Sequence, residues 1–538
     1  MTKGKPRVFC SKAMVLALAA LFGAFWAVGQ AKAQNVDRGE TLVFSFPKNA
    51  GTPNPHEYGP SQMYSQVLVY EPLVTIDHAG KIVPCLAESW EISEDGKTYL
   101  FKLKEGVVFS DGEPFTAEVA VLNFKTVMDN AAEHNWLGVV NFIESFRAVS
   151  PNEFELKLKS PYSPTLMDLA TPRPFRFVSP KVFPEDGDTF KSQLKADGGT
   201  GPWKKAETAL GEYDLFERND LYWGEKTKTK YLLVKVIPDP IGRAMAFEAG
   251  EIDIIYGDGQ INFDVFDRFS KTPGVEAKVS PPMVTMALAL NTAKEPTKEL
   301  AVRQALEHVV DKKEVSKGVS LSAFPPADYL LSPDIPYCKI DSKPFEFDPQ
   351  KAAKILDEAG WVLAPGETVR KKDGKELVID FCFVGNNANQ KSIAEIIQAQ
   401  AAKIGMKLNL IGEEEDSFYK RQNSGEFNMI VSATWGPPYD PHTYMASMLI
   451  PSHADYAAQS GLAEKPKIDE LINLALTATE EKDRSAHYKE IITILHDRAV
   501  YLPLYYQSLL MVYRSDRLSG ASFGPTRYEF PFGGMSVK

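Results

Sequence analysis

The side chains best suited to chemistry are gathered in residues 434–453, Thr-Trp-Gly-Pro-Pro-Tyr-Asp-Pro-His-Thr-Tyr-Met-Ala-Ser-Met-Leu-Ile-Pro-Ser-His. One tryptophan, two tyrosines, two histidines and four prolines leave little room there for regular structure. A loop of this makeup, held on a rigid scaffold, is where binding residues concentrate. Imidazole suits divalent nickel and copper, and the aromatic rings offer wide, rigid contact area with polar tips. The stretch reads as one wall of a ligand cleft, and the cleft as one for a small metal complex. It cannot be a complete metal site. The eight histidines (56, 78, 134, 308, 442, 453, 487 and 496) form no pair at i, i+4, so no all-protein cage is written here. Most ligands of any bound metal must come from elsewhere.

Enzyme signatures are missing. The chain has no Gly-x-Ser-x-Gly, no His-Glu-x-x-His, no Walker loop and no dinucleotide fingerprint. A secreted hydrolase therefore lacks a nucleophile, a base or a metal triad. Gly-Thr-Gly-Pro-Trp-Lys at 199–204 has only a superficial likeness to a phosphate loop, because Pro202 removes a backbone donor; it reads as a turn. The acid run Glu-Glu-Glu-Asp at 413–416 reads as a solvated loop rather than a hard-cation site.

Of the 538 residues, the first 33 read as an export signal. Lys3, Lys5, Arg7 and Lys12 precede an apolar run from 14 to 28, and Ala31-Lys32-Ala33 gives the small-residue cleavage pattern, placing the cut after Ala33. The run is short of the ~20 residues a spanning helix needs. Removing this leader with its five cations leaves 505 residues and takes the net charge from −11 to −16. Such acidity disfavours nucleic acid and anionic membranes as partners. The length exceeds what one core usually supports, so at least two lobes are expected. Cys85, Cys338 and Cys382 are odd in number and irregularly spaced, which reads as buried thiols with at most one bridge.

The elements that must position the loop follow from local pattern. Residues 41–46, Thr-Leu-Val-Phe-Ser-Phe, read as a strand. Met63, Val67, Val69 and Tyr70 repeat as on a helix. Glu-Asp-Gly-Lys at 94–97 is a turn between alternating strands, Phe-Ser-Asp-Gly at 109–112 a second turn, and Thr116 caps the helix that follows. Residues 377–384 form an apolar strand, and Ser392 with Glu395 reads as a capping box for a helix stopped by Gly405. Met406, Leu408 and Leu410 then alternate, so strand, helix and strand imply a parallel crossover and an α/β sheet.

Nine blocks carry a resemblance. They begin with Leu-Ala-Glu-Ser-Trp at 86–90 and its following turn, and include Gly-Thr-Gly-Pro-Trp at 199–203, Arg-Asn-Asp-Leu-Tyr-Trp-Gly at 218–224 and Ala-Met-Ala-Phe-Glu-Ala-Gly-Glu-Ile-Asp at 244–253. Ala-Leu-Asn-Thr at 289–292, Val-Arg-Gln-Ala-Leu at 302–306 and Asp-Pro-Gln-Lys-Ala-Ala at 348–353 continue it. In this order they resemble the extracellular solute-binding proteins of dipeptide, oligopeptide and nickel ABC importers. The resemblance implies an α/β, two-lobed periplasmic binding protein fold with a hinge, mixed sheets flanked by helices, and an inserted subdomain in lobe I. The implied division is signal peptide 1–33, lobe I 34–283 with the insertion at about 75–210, lobe II 284–506, and a lobe I return at 507–538.

The resemblance is densest to the family's nickel-importing members, at His-Glu-Tyr-Gly-Pro-Ser-Gln-Met (56–63), His-Asn-Trp (134–136) and Thr-Pro-Arg-Pro-Phe-Arg-Phe (171–177). In those members the cleft grips a complex of nickel(II) with a small organic chelator, histidine being the physiological candidate. Carried over, the implied contacts are Tyr58, Met63, Trp136, Arg173, Trp435 and Tyr439, with His453 touching the metal and His442 or His56 as lesser candidates. The family's C-terminal threonine contact falls on Tyr528, beside Thr526. A planar guanidinium such as Arg173 can pair bidentately with a chelator carboxylate. Peptide-binding relatives hold an ammonium with an acid three residues after the cleft tryptophan, where this chain has Pro438; Asp440 lies close enough to leave that alternative open. The resemblance further implies a periplasmic monomer with no resident cofactor, no membrane insertion, and a membrane permease with its ATPase as partners.

Overall fold

The computed structural model describes residues 36–57 and 63–538. The leader and Tyr58 lie outside the described residues. Two bodies, each built on its own sheet, are joined by two chain crossings.

The first body holds a seven-stranded mixed sheet in the order Val275–Val279, Leu510–Arg514, Ile254–Gly257, Thr41–Phe46, Tyr231–Val236, Tyr213–Arg218, Trp203–Ala209. Thr41–Phe46 pairs in parallel with neighbours on both sides and is buried along nearly its whole length. A parallel strand covered on both faces reads as a continuous apolar run, as this one does. The strand Leu510–Arg514 comes from the far end of the chain and wedges between Ile254–Gly257 and Val275–Val279.

The second body holds a five-stranded sheet in the order Lys407–Glu413, Val378–Val384, Met429–Ala433, Val284–Leu290, Tyr501–Gln507. Val378–Val384 and Lys407–Glu413 run parallel with the helix Ala388–Ala402 between them in sequence, as the local pattern requires. That helix starts a turn before the expected capping box. Asn387 caps it by accepting from Gln390 N at 3.1 Å, and Ser392 instead donates to Ala388 O at 3.0 Å inside the helix. Its first turn is polar and largely exposed, so the apolar repeat does not report it.

A third, antiparallel sheet stands on the first body, ordered Ala87–Ile92, Thr98–Leu103, Glu153–Leu158, Ile143–Ser150. The helix Ala117–Asp129, capped by Thr116, packs Phe124 against Phe146, Phe154 and Phe175. Trp203–Ala209, which the sequence placed inside the insertion, is the edge of the seven-stranded sheet, so the insertion ends before it. Likewise Gln507, placed with the returning segment, still pairs with Val284 in the second body. Both are register facts, visible only once the partner strand is known.

The crossings lie at 280–283 and 508–509, side by side. Ser280 N donates to Leu509 O at 3.0 Å and Ser280 Oγ accepts from Leu509 N at 2.8 Å, so the two connections are tied to each other. Cys85, Cys338 and Cys382 are buried and free. No helix among the described residues is long and apolar enough to cross a membrane.

The 199–203 stretch is indeed no phosphate loop. It lies against the end of the helix Met63–Val69, with Gly201 N donating to Val69 O at 2.9 Å. A Cβ on Gly199 would fall 1.9 Å from that same backbone oxygen. Gly199→Ala is therefore expected to cost about 2–3 kcal/mol through overpacking, read as a lower urea midpoint in equilibrium unfolding.

Candidate ligand-binding site

A cavity of about 150 Å³ lies where the two bodies meet. One wall comes from the first body: Met63 at a helix start, Ile76, Trp136 and Leu137 between two short helices, and 170–173 just after the helix Thr165–Leu169. The 526–528 segment near the C-terminus adds Thr526, Arg527 and Tyr528. The opposite wall is the loop Trp435, Gly436 and Pro437 with Thr443. The structure thus collects Met63, Trp136, Arg173, Trp435, Thr526 and Tyr528 around one space. Arg173 is 3% exposed, and its charge, after burial, helps hold the neighbouring His134 down to about 4.

The second wall is set by its own backbone. Thr434 exchanges two hydrogen bonds with Thr285 N and O at 2.8 and 3.0 Å, anchoring the loop to the strand next to the hinge. Gly436 turns with φ +97°, and a Cβ there would meet Thr443 at 2.9 Å. This brings Trp435 over the cavity, with the His453 ring stacked on it at 6.2 Å and 26°. His453 is half-buried at the start of the helix Ala454–Gln459. It stands behind the tryptophan rather than on the lining.

Three further expectations need correcting. Tyr439 is not on the cavity lining; its ring covers the Gly80 turn of the first body, where a Cβ would come within 2.4 Å of it. His442 is not open to a metal, since it is 1% exposed with Nδ1 2.9 Å from Asp440 and Nε2 2.7 Å from Asp168. His56 is fully buried with Nδ1 2.6 Å from Thr189 Oγ1, and burial, followed by the charge of His134, lowers it to about 3. All three sit in ligand-like sequence but are claimed by packing.

Asp440, the residue that kept a peptide ammonium in play, is committed as well. Arg484 Nη2 reaches its two oxygens at 2.9 and 2.7 Å, and burial, opposed by His442 and Arg484, leaves it at about 2. The acid run is likewise engaged: Glu413 takes Arg421 bidentately, and Glu415 and Asp416 open the next helix. Sequence reasoning missed Arg527, a second guanidinium on the lining. It also borders a larger polar space of about 730 Å³ that includes Asp258, Asn387 and Gln507. Its only sequence signal is its place between Thr526 and Tyr528.

The fold and the site between its halves define a binding protein that closes on a solute, and the chain belongs to the bacterial extracellular solute-binding proteins, whose family 5 middle model matches residues 81–456. The chain is 47% identical over 494 residues to the nickel-binding periplasmic protein of Escherichia coli (strain K12), with 92% of this chain and 94% of that protein covered. The crystal structure of NikA from Brucella suis in complex with Fe(III)-EDTA matches with a TM-score of 0.90 at 48% identity, covering 93% of this chain and 100% of that one. The dipeptide-binding protein of E. coli (strain K12) is 26% identical over 484 residues, with 86% of this chain and 88% of that protein covered. The two bodies are accordingly the two lobes of the periplasmic binding protein fold.

Proposed function

We propose that this chain is the periplasmic solute-binding component of an ABC importer, capturing nickel(II) as a complex with a small organic, histidine-like chelator. The observation that carries the reading is a buried guanidinium, Arg173, lining a cavity of about 150 Å³ beside Trp136 and opposite Trp435. That space is below the roughly 300–1,000 Å³ of ordinary ligand clefts, and Arg527 borders both it and the neighbouring polar space of about 730 Å³. The identity to a nickel-binding relative supports the same cargo. Arg173 pairs with the chelator carboxylate, Trp136, Trp435, Met63, Thr526 and Tyr528 pack on the complex, and His453, stacked on Trp435, is the residue assigned to the metal.

Ligand contacts from both lobes stabilise the closed state, which the membrane permease reads; its partner ATPase supplies the energy. The chain is exported and cut after Ala33. Capture at micromolar ligand needs about 8 kcal/mol net, within reach of one charged pair, aromatic burial and one imidazole–metal bond. The peptide alternative loses ground because Asp440, the acid the sequence left open for a peptide ammonium, already serves Arg484 and His442.

Calorimetric titration with nickel alone, nickel plus L-histidine, and di- and tripeptides tests the cargo. Saturable heat is expected with nickel plus histidine; tight peptide binding with no response to nickel plus histidine would overturn the proposal. His453→Ala is expected to weaken nickel–histidine binding about tenfold, or ~1.4 kcal/mol. Unchanged affinity would remove His453 from the metal.

A further inference from the structure

The two walls of the cavity are joined by a buried chain of charges that the proposed ligand contacts do not use. Asp168 lies in the helix Thr165–Leu169, which leads into wall residues 170–173. His442 begins the helix His442–Ser447 on the opposite lobe, next to the wall residue Thr443. The two are 274 residues apart in sequence, yet His442 Nε2 sits 2.7 Å from Asp168 Oδ1. Both are 1% exposed or less.

The protonation state follows from donor counting. Asp440 Oδ1 receives His442 N at 3.0 Å, His442 Nδ1 at 2.9 Å and Arg484 Nη2 at 2.9 Å. Asp168 Oδ2 receives Val139 N at 2.8 Å and Tyr162 OH at 3.0 Å. A proton on Asp440 Oδ1 or Asp168 Oδ2 would displace one of these donors. Among the described residues Asp168 Oδ1 meets only His442 Nε2, which Thr443 Oγ1 also approaches at 2.9 Å; the hydrogen between Oδ1 and Nε2 joins the two lobes whichever atom holds it. With both carboxylates ionised, each ring nitrogen of His442 faces an acceptor and must itself carry hydrogen. The imidazole is then a cation, and with Arg484 it balances Asp168 and Asp440 one for one.

We propose that His442 is a positively charged clasp, a positioning residue that locks the two lobes shut by joining Asp168 of lobe I to Asp440 of lobe II. Neutral contacts lie beside it, including Ser163 N to Leu476 O at 2.8 Å and Ser163 Oγ to Ala478 O. Among these the clasp alone carries charge, so it gives closure a pH dependence. Burial pulls His442 down, but the charges of Asp440 and Asp168 outweigh it and take the imidazole up to about 9. A raised pKa means the stabilisation is complete below the ordinary 6.5 and is lost as pH rises through about 9. The other groups facing this cluster do not share that window. Burial pushes Tyr162, Tyr337, Tyr488 and the Cys338 thiol upward, and Arg484 is raised despite burial by Asp440.

The inference rests on the reading of the cavity as a site over which the lobes close, so the test includes an arm without ligand. Small-angle scattering of the mature protein, alone and with nickel plus L-histidine, is measured from pH 7 to 10. The wild type is expected to expand above about pH 9. His442→Gln and the near-isosteric Asp168→Asn are expected to be expanded already at pH 7, with a flat profile, and to release nickel–histidine at least tenfold faster. Circular dichroism confirms that the variants are folded. Identical radii and pH profiles for the wild type and both variants would overturn the clasp. A normal ligand-free profile without any nickel–histidine binding would instead retain the clasp and reject the cargo.

Discussion

Arg173→Ala is expected to weaken nickel–histidine binding by about 100-fold, roughly 3 kcal/mol, the scale for truncating one partner of a buried, hydrogen-bonded charge pair. The side chain is 3% exposed and lines the cavity together with Trp136 and Trp435, so water cannot substitute for the lost donors. Arg173→Lys is expected to recover little. A lysine supplies a point charge, whereas a carboxylate held in a confined space is matched by the planar fork of arginine. Titration calorimetry with a chelator whose carboxylate is amidated separates the two contributions. If Arg173 pairs with the carboxylate, the wild type and Arg173→Ala bind the amidated complex alike. Should the variant lose affinity for both chelates equally, Arg173 acts through packing instead.

Asp440→Ala is expected to have the largest effect on stability, about 3–5 kcal/mol, because it strands two buried cations. Arg484 and His442 both turn on this carboxylate, and the sequence-distant Asp168 satisfies only one of them. Equilibrium urea unfolding followed by far-ultraviolet dichroism reads the loss. The pH signature has a definite sign. Asp440 is held at about 2, below the ordinary 3.8, so its contribution is present above pH 3.8 and is lost as pH falls through about 2. The difference in stability between the wild type and Asp440→Ala should therefore shrink in strong acid. A variant as stable as the wild type at pH 7 would show that the charges rearrange without it.

Where sequence reading worked, the signal was local or came through the family resemblance. The strand Thr41–Phe46, the Thr116 cap and the parallel pair around the helix Ala388–Ala402 follow from residue type and period. Met63, Trp136, Arg173, Trp435, Thr526 and Tyr528 line one cavity. Gly199 and Gly201 lie where backbone oxygen at the end of the helix Met63–Val69 occupies the space a side chain would need. Some misreadings arose where a polar residue had a partner far away in the chain, as His442 has in Asp168; that of Ser392 was local. Ser392 looked like a cap only because the preceding turn of its helix is polar.

By itself, the sequence determined the export signal as an expectation, the acidic surface, the α/β character and the family to which the chain belongs. It also named six of the fifteen residues that line the cavity, because a family's motifs are written linearly. Only tertiary structure decided how residues 434–453 divide their labour. Trp435 faces the cavity with His453 stacked behind it, Tyr439 seals the seam over Gly80, and His442 belongs to Asp168 across the lobe boundary. The physical reason is that a histidine's role is set by what accepts from its two ring nitrogens and by whether water reaches it. For His442 one acceptor, Asp440, is two residues away, but the other, Asp168, is brought in from the opposite lobe.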